Sequence, residues 1–417
     1  MSVRIAVVGT GIAGLASAHL LAARHEVTVY EAEARPGGHT HTQDVVVDGR
    51  PLSVDTGFIV LNRVNYPGFC RLLDRLGVDT QPSDMSFSVR DDRNGLEWKG
   101  STLGSLFAQR RNLLRPRFLR MVREILRFNR DAPRLLEEED RGLTLGEYLA
   151  RERYSDRFVE NYLVPMGAAL WSMDPAAMGD FPAGTFVAFF ANHGMLLLRG
   201  RPAWLTIRGG SRRYVERILE PVRDRLRLAT PVLGVAREER GVRLDLPAGE
   251  VARPDAVVLA CHSDQALRLL RDPSAAEREV LGAIPYQEND AVLHTDASVM
   301  PRSPRAWASW NWHVPKEPQG RATITYDLTR LQSLPGPTRL FLTLNRTAAI
   351  DPSRVLSRTT YHHPVFTVAG VAAQRRRDEV SGVRGTWYAG AWWGHGFHED
   401  GVASAFAVAR GLGVPVP

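Results

Sequence analysis

A glycine turn set between a strand and a helix constrains this chain more than any other feature. Residues 3 to 8 (Val-Arg-Ile-Ala-Val-Val) form a short β-branched run suited to a buried parallel strand. Gly9-Thr10-Gly11-Ile12-Ala13-Gly14 follows, and the Ala- and Leu-rich stretch from Ala13 to Arg24 reads as a helix. Residues 26 to 30 (Glu-Val-Thr-Val-Tyr) read as a second strand that ends at Glu31. A lone G-x-G-x-x-G is weak, but placed after a strand and opening a helix it is a dinucleotide fingerprint. The glycines let backbone approach a pyrophosphate, whose charge meets the N–H groups of the helix start. Glu31 stands where a carboxylate accepts both ribose hydroxyls, and an acid there argues against a 2′-phosphate. An empty glycine turn explains this context far less well. Gly9, Gly11, Ile12, Ala13, Gly14 and Glu31 are therefore expected to bind a dinucleotide.

Composition limits the remainder. At 417 residues the chain outgrows a single core, so two intertwined domains or one large one are expected. Its 44% hydrophobic and 24% charged residues exclude bulk disorder and collagen-like repeats. Cys70 and Cys261 are the two cysteines, far apart, which argues against a disulfide framework or a cysteine zinc site. The apolar start is interrupted by Gly9, Gly11 and Gly14 and has no small-residue cleavage site after it, so it reads as folded core rather than a signal peptide. No other apolar run is long enough for a span, and a soluble, cytoplasmic protein is expected. The net charge of +7 comes with only two lysines, Lys99 and Lys316. A GC-rich genome accounts for that deficit, while the positive excess favours anionic surfaces as partners.

Helical patterns cover residues 69 to 77, 103 to 136 with a break near Pro116, 143 to 164, and 211 to 226. A β-rich stretch at 227 to 247 precedes the buried strand 256 to 260. Residues 291 to 295, 306 to 313, 321 to 328 and 339 to 345 read as strands of a mostly antiparallel sheet. A strand at 386 to 390, a glycine-rich loop and a helix at 402 to 411 close the chain. The expected fold class is α/β: a doubly wound cofactor domain (1–68, 205–283 and 384–417) interleaved with a mixed-sheet and helical substrate domain (69–204 and 284–383).

After Glu31 come Ala32-Glu33-Ala34-Arg35-Pro36 and then Gly37-Gly38-His39-Thr40. This E-x5-G-G pattern resembles the FAD-binding flavoproteins of the amine oxidase and phytoene desaturase superfamily. The resemblance implies FAD, and cofactor contacts at Ala32, Gly37, Gly38, His39 and Thr40. An arginine usually follows the glycine pair in that family; here it is His39. Val54-Asp55-Thr56-Gly57-Phe58 resembles the strand and turn beneath the flavin, which implies roles for Thr56, Gly57 and Phe58. In similar proteins the position of Val232 meets the adenine through its backbone. The stretch Asp255 to Ala260, with Cys261 and His262, resembles the strand and loop that pass the pyrophosphate, implying contacts at Ala260 and Cys261. Trp387 to Gly401 matches the segment that passes the flavin and enters a helix, implying contacts at Gly390, Ala391, Phe397, His398, Glu399, Asp400, Gly401 and Val402. Many relatives carry an acid where this chain has Ala391. That final helix would direct its N-terminus at the flavin N1–C2 carbonyl.

A narrower resemblance spans most of the chain through Asp55 to Val60, Asn192 to Met195, Gly209-Gly210-Ser211, His262 to Ala266, Trp307 to Asn311 and Gly396 to Gly401. These look like a group of bacterial FAD-dependent oxidoreductases often encoded beside cyclopropane-fatty-acid-synthase-like methyltransferases. It implies hydride transfer from a substrate C–H to flavin N5, an acyl-lipid substrate with desaturation or oxidation as the reaction, and a methyltransferase pathway partner. Oxidation of a small amine is the alternative, and a redox-neutral flavin isomerase or accessory subunit the third reading. Related oxidases link flavin to a cysteine in the C-terminal segment, and no cysteine follows residue 261, so non-covalent FAD is expected. Many amine oxidases hold a lysine near flavin N5. Here only Lys316 lies in a suitable region, in a loop-like Pro-Lys-Glu-Pro setting.

His395 and His398 are the candidate catalytic residues, because imidazole titrates near neutrality. Hydrogen bonding to the glycine-rich loop explains them equally well. No metal site is expected: adjacent His362 and His363 point apart on a strand, and carboxylate partners are missing. Trp307, Trp310, Trp312, Trp392 and Trp393, with Tyr326 and Tyr361, either line an apolar chamber or pack a core. Residues 107 to 130 carry eight arginines and one acid, with Leu114, Phe118, Met121, Ile125 and Phe128 at helical spacing. Such a helix either lies on an anionic membrane or, more commonly, turns its apolar stripe to the core. Nothing resembling a nucleic-acid reader accompanies the arginines, so no nucleic acid is expected.

Overall fold

The computed structural model describes residues 2–100, 102–137, 142–317 and 320–417. Its centre is a five-stranded parallel sheet. β1 (Arg4–Val8) lies between β2 (Glu26–Tyr30) and the strand Ala256–Leu259, and the edges are Thr386–Tyr388 and Leu226–Arg227. Alternation places Ile5, Val7, Val27, Val29 and Val258 in one apolar core, and Ala6, Val8, Tyr30, Val257 and Leu259 in the other. Both faces are covered, as continuous β-branched runs require. α1 (Ile12–Leu21) and the C-terminal helix His398–Gly411 pack on the first face. The second carries a three-stranded meander (Gly234–Arg237, Val242–Asp245, Val251–Ala252) and the helices Ser263–Leu269 and Ala275–Gly282.

The second sheet has seven strands, in the order Val355–Pro364, Tyr286–His294, Phe341–Leu344, Ile324–Asp327, Trp310–Val314, Phe87–Asp91 and Leu96–Lys99. It is antiparallel except where Trp310–Val314 runs parallel to Phe87–Asp91. The helices Pro116–Asp131, Val164–Trp171 and Ala183–Asn192 share an aromatic core with it, built on Phe118, Phe128, Phe158, Phe186 and Phe190. A doubly wound parallel sheet joined to a mixed sheet under helices is the expected architecture.

Three details depart from the sequence reading. The helix Pro67–Leu76, assigned to the substrate domain from residue 69, buries Phe69, Leu72 and Leu73 in the parallel-sheet core with Val402, Ala405 and Phe406. The strand Val355–Pro364 is longer than expected, since only His362 and His363 were read on a strand; its inward positions are Val355, Ser357, Thr359, Tyr361 and His363, too mixed in polarity to read as an apolar period. The last helix begins at His398 rather than 402, because the Asp400 carboxylate accepts the Phe397 N–H at 2.9 Å and starts the first turn.

A buried ion pair fixes the edge strand that leads to the C-terminal segment. Arg237 makes a two-pronged bond to Glu277 (3.1 and 2.9 Å), and the Tyr388 hydroxyl donates to the same carboxylate at 2.6 Å. Their side chains are 1% and 6% exposed for Arg237 and Glu277. Burial pushes the Glu277 pKa up, but Tyr388, the Ser274 N–H and Arg237 together hold it below the ordinary range. Arg237→Met leaves that carboxylate buried and unpaired, so a loss of about 3–5 kcal/mol is expected by chemical denaturation at neutral pH. The pair contributes fully above the ordinary carboxylate pKa and is lost as pH falls through the lower folded-state value. Denaturation curves of variant and parent should therefore converge in acid.

Candidate active site

One cavity of about 1150 Å³ runs between the two sheets. At one end the wall is backbone. Gly9 has φ +100°, and a Cβ there would lie 2.9 Å from the Ala260 carbonyl oxygen, so the turn closes directly on the end of the neighbouring strand. Gly14 sits so tightly under the turn that a Cβ would lie 2.0 Å from the Gly9 oxygen. Gly11 differs: it has φ −59°, and a Cβ there would meet nothing within 4 Å. It borders the cavity with Ile12 and Ala13, and no side chain caps the first turn of α1. This cradle offers helix N–H groups to an anion and leaves room beside Gly11 for it. Glu31 borders the same end, its carboxylate oriented by the Thr10 N–H (2.9 Å), the Thr10 hydroxyl and the Glu33 N–H (3.0 Å).

Midway, Gly37, Gly38 and His39 face Thr56, Gly57 and Phe58 across the cavity wall, locked by the Phe58 N–H to the His39 oxygen (2.8 Å) and the Thr56 N–H to the His41 oxygen (2.9 Å). Ala260 and Cys261 border the cavity here, and Gly390, Ala391, His395, Phe397 and His398 enter from the C-terminal segment. The His398 ring stacks on Phe58 with centroids 3.6 Å apart, and its Nε2 meets the Tyr214 hydroxyl at 3.0 Å and Thr40 Oγ1 at 3.2 Å. Burial drives its pKa down to about 3, so the ring is neutral at physiological pH and props Phe58 from behind. His395 is one-third exposed, with Nδ1 4.0 Å from the Asp400 carboxylate, whose pKa burial pushes up. Of the two candidate histidines, His395 alone combines cavity access with an acidic neighbour.

Beyond the flavin-segment residues the cavity widens into an apolar chamber. Tyr162, Met166, Leu170 and Trp171 form one side, with Phe189, Trp310, Tyr326, Leu342 and Leu344 around them. Trp310 Nε1 is buried without a protein partner. Asp84 is the one acid of the chamber among the described residues, and Ser309 (2.6 Å), Ser86 and Arg330 already hold it. Burial opposes its charge, but those hydroxyls, with Arg330 and Lys99, keep its pKa below the ordinary range. At the mouth stand Val122, Ile125 and Leu126 from the arginine-rich helix, with Leu198 and Arg201. The apolar stripe Phe118, Met121 and Phe128 faces the core, while Leu114 precedes the helix and is 87% exposed.

Several expected contacts lie off the cavity. Glu399 accepts the N–H groups of Gly68 and Phe69 (both 2.9 Å), capping the helix Pro67–Leu76. Asp400 starts its own helix, while Gly401 and Val402 are buried, Gly401 against Ile12. Thr40 is tied to Tyr214 and His398 behind the wall, Ala32 is exposed, and Val232 is core. Unread from sequence were Thr10, which also accepts the Gly37 N–H at 3.0 Å, and Tyr214. A hydroxyl between the two glycines was the one available signal. Trp312 is core, Trp310 and Trp392 border the cavity, and Tyr361 reaches it with its hydroxyl on Thr56 and His41 (both 3.0 Å). Among the described residues no three His, Cys, Asp or Glu side chains are grouped to hold a metal ion, and no helix is long and apolar enough to cross a membrane.

Residues 12–333 match the family model for flavin-containing amine oxidoreductases, and the chain belongs to that family, whose members bind FAD. It is an FAD-dependent oxidoreductase of that family. Solved structures share its fold over nearly the whole chain. Cyclohexylamine oxidase from Brevibacterium oxydans IH-35A superposes with TM-score 0.70 at 17% identity, covering 99% of this chain and 100% of that one. A putrescine oxidase bound to putrescine gives 0.70 at 16%, covering 99% of each. A CLA-producing fatty acid isomerase from P. acnes gives 0.71 at 16%, covering 98% of each.

The glycine geometry separates folding from cofactor binding. Gly11→Leu places its side chain in open cavity, so a folded protein with parental circular dichroism and no bound yellow flavin is expected. Gly14→Ala drives into the Gly9 carbonyl and should lose the fold itself. Glu31→Ala should weaken FAD roughly tenfold to a hundredfold, with the spectrum of the bound flavin unchanged.

Proposed function

We propose that the chain holds FAD non-covalently, with Glu31 at the ribose, the Gly9–Gly14 turn at the pyrophosphate, and Thr56–Phe58 with Gly390, Ala391 and Phe397 about the flavin, and that it oxidises or desaturates an acyl lipid. The residues fit the cofactor: the open space beside Gly11, the uncapped start of α1 and the oriented Glu31 carboxylate form a continuous wall. Bound FAD supplies a hydride acceptor for a substrate C–H. The protein's own share is to bury that C–H in a dry apolar chamber, to hold Phe58 through the His398 stack, and to offer His395 for a proton.

The observation that carries the substrate class is the chamber's polarity. Its wall is mostly aromatic and aliphatic, its acid Asp84 is already satisfied by hydroxyls and Arg330, and the buried polar atoms on the wall without a protein partner include the Trp310 Nε1 donor and, on the arginine-rich helix, the Asn129 Oδ1 acceptor. A donor suits an ester or carboxyl oxygen, whereas an ammonium ion would find no free carboxylate there. The mouth supports the same reading. Leu126 and Leu198 are 47% and 68% exposed, and exposed Arg117 and Arg123 lie on the helix that carries Leu126. Such a rim fits peripheral contact with an anionic bilayer, each arginine contributing ~1 kcal/mol that salt screens. A methyltransferase acting on the same acyl chains is the pathway partner this reading suggests.

Anaerobic mixing of the holoenzyme with acyl phospholipids should bleach the oxidised flavin band, while small amines should leave it intact. Co-sedimentation with phosphatidylglycerol vesicles is expected to weaken as salt rises and to fall in an Arg117→Gln, Arg123→Gln, Leu198→Gln variant; phosphatidylcholine vesicles should bind poorly. Rapid bleaching by an amine without vesicle binding would establish amine oxidation instead. A shifted double bond in the recovered lipid, without net bleaching, would establish the isomerase reading.

A further inference from the structure

Four imidazoles gather where the cavity passes the glycine turn. His39 follows Gly38, which packs so close to Gly11 that a Cβ would lie 3.1 Å from its Cα. His262 follows Cys261, whose backbone nitrogen lies beside Gly9. His363 comes from the strand Val355–Pro364, with His362 next to it, and all four border the cavity. The His39 ring is 5.2 Å from His363 and 6.3 Å from His262, and its Nε2 is buried with no hydrogen-bond partner. Arg201 is the one arginine or lysine on the cavity wall among the described residues, and it stands at the chamber mouth. The pyrophosphate stretch therefore has imidazoles where a fixed cation would be expected.

We propose that His39, backed by His262 and His363, is a titratable countercharge for the FAD pyrophosphate, so that the cofactor binds together with a proton. The inference rests on the FAD reading above. A pyrophosphate diester brings two negative charges. Arg35 lies off the cavity wall and spends its guanidinium on the Gly38 oxygen (3.0 Å), and the start of α1 supplies about half a charge. The remaining charge falls to the imidazoles.

The surroundings leave these rings free to respond. Without an anion His39, His262 and His363 are neutral: burial, then their mutual repulsion and Arg35, lowers His39 far below the ordinary value, and burial takes His262 and His363 to about 4. Other groups facing His39 carry no charge near neutrality. Tyr361, 5.1 Å away, is raised to about 12, and His41 and His398 are lowered to about 4 and about 3. Behind His262, Asp264 is paired with Arg268 (2.6 Å), and beyond His363 lies Glu288, 3.9 Å from His362. His363 itself meets Asn289 at 3.0 Å, and His262 stacks on Tyr286. One phosphate charge at ~4 Å, at an effective dielectric of ~20, shifts a proton equilibrium roughly a thousandfold. That carries His262 and His363 from about 4 toward neutrality on binding and raises His39 in the same direction. Because the bound-state value is the higher one, affinity is greatest in acid and falls as pH rises toward that value, then levels off.

The test is titration of FAD into apo-protein, read by flavin fluorescence, with calorimetry in buffers of different ionisation heat. Expected are FAD affinity that weakens by up to tenfold per unit from about pH 5 to about pH 7, and uptake of a proton on binding. His39→Arg should bind FAD with the slope flattened, and His39→Gln should lose the acid-side gain while matching the parent at higher pH. Tight binding with a flat pH profile and no proton uptake would overturn the countercharge and leave the FAD reading intact. Absence of FAD binding by both parent and His39→Arg at every pH would overturn the FAD reading itself.

Discussion

The contact between the Gly9 turn and the end of the strand Ala256–Leu259 is the constraint on which the site depends. Because the turn closes on Ala260 with no room for a side chain, β1, α1 and the neighbouring strand meet at one point. Every other wall of the nucleotide arm is referred to that point. The Thr10 hydroxyl reaches from the turn to both Glu31 and the Gly37 N–H, so the Glu31 carboxylate and the glycine pair are set by one side chain. Gly401 then packs against Ile12, which fixes the C-terminal helix on α1 and delivers the preceding glycine-rich segment to the cavity. Substitutions in this knot act on position before they act on chemistry.

The two ends of the cavity are built from different material. Near the turn the wall is backbone and imidazole, able to meet charge. In the chamber it is aromatic and aliphatic side chains from helices that are distant in sequence, suited to excluding water. The boundary is the Phe58–His398 stack, where a buried neutral imidazole serves as a flat, hydrogen-bonded prop. A residue of that kind resembles a proton carrier in the sequence, and burial removes that capacity by lowering its pKa.

The opening strand, turn, helix and strand were legible because their requirements are local. A turn that must pass phosphate needs glycines at fixed spacing, and β2 began and ended where its β-branched run did. Contacts that depend on packing were not legible. Glu399 and Asp400 were expected to contact the cofactor, yet both are engaged in helix starts, which residue type cannot distinguish from ligand binding. The arginine-rich helix turns one broad apolar face inward, with Phe118 and Phe128 in the core and Val122 and Ile125 reaching past it to the cavity. Periodicity finds the stripe and does not tell which of its members also border a cavity. The imidazole cluster joins residues 39, 262 and 363, whose proximity exists only after both sheets are assembled.

One irregularity sits in the chamber wall. The helical stretch from Asp156 to Trp171 contains a π turn at Val159–Leu163, which inserts one residue into the helical repeat. Phe158 just before it and Tyr162 within it pack together in the aromatic core, with ring centroids 5.5 Å apart, and Tyr162, Met166 and Leu170 also border the cavity at four-residue spacing. The widened turn is held in place: Trp98 donates to the Asn161 oxygen (3.2 Å), and the Asn161 amide donates to buried Asp91 (2.7 Å). One helical stretch thus serves both the aromatic core and a long apolar wall of the cavity, Tyr162 belonging to both.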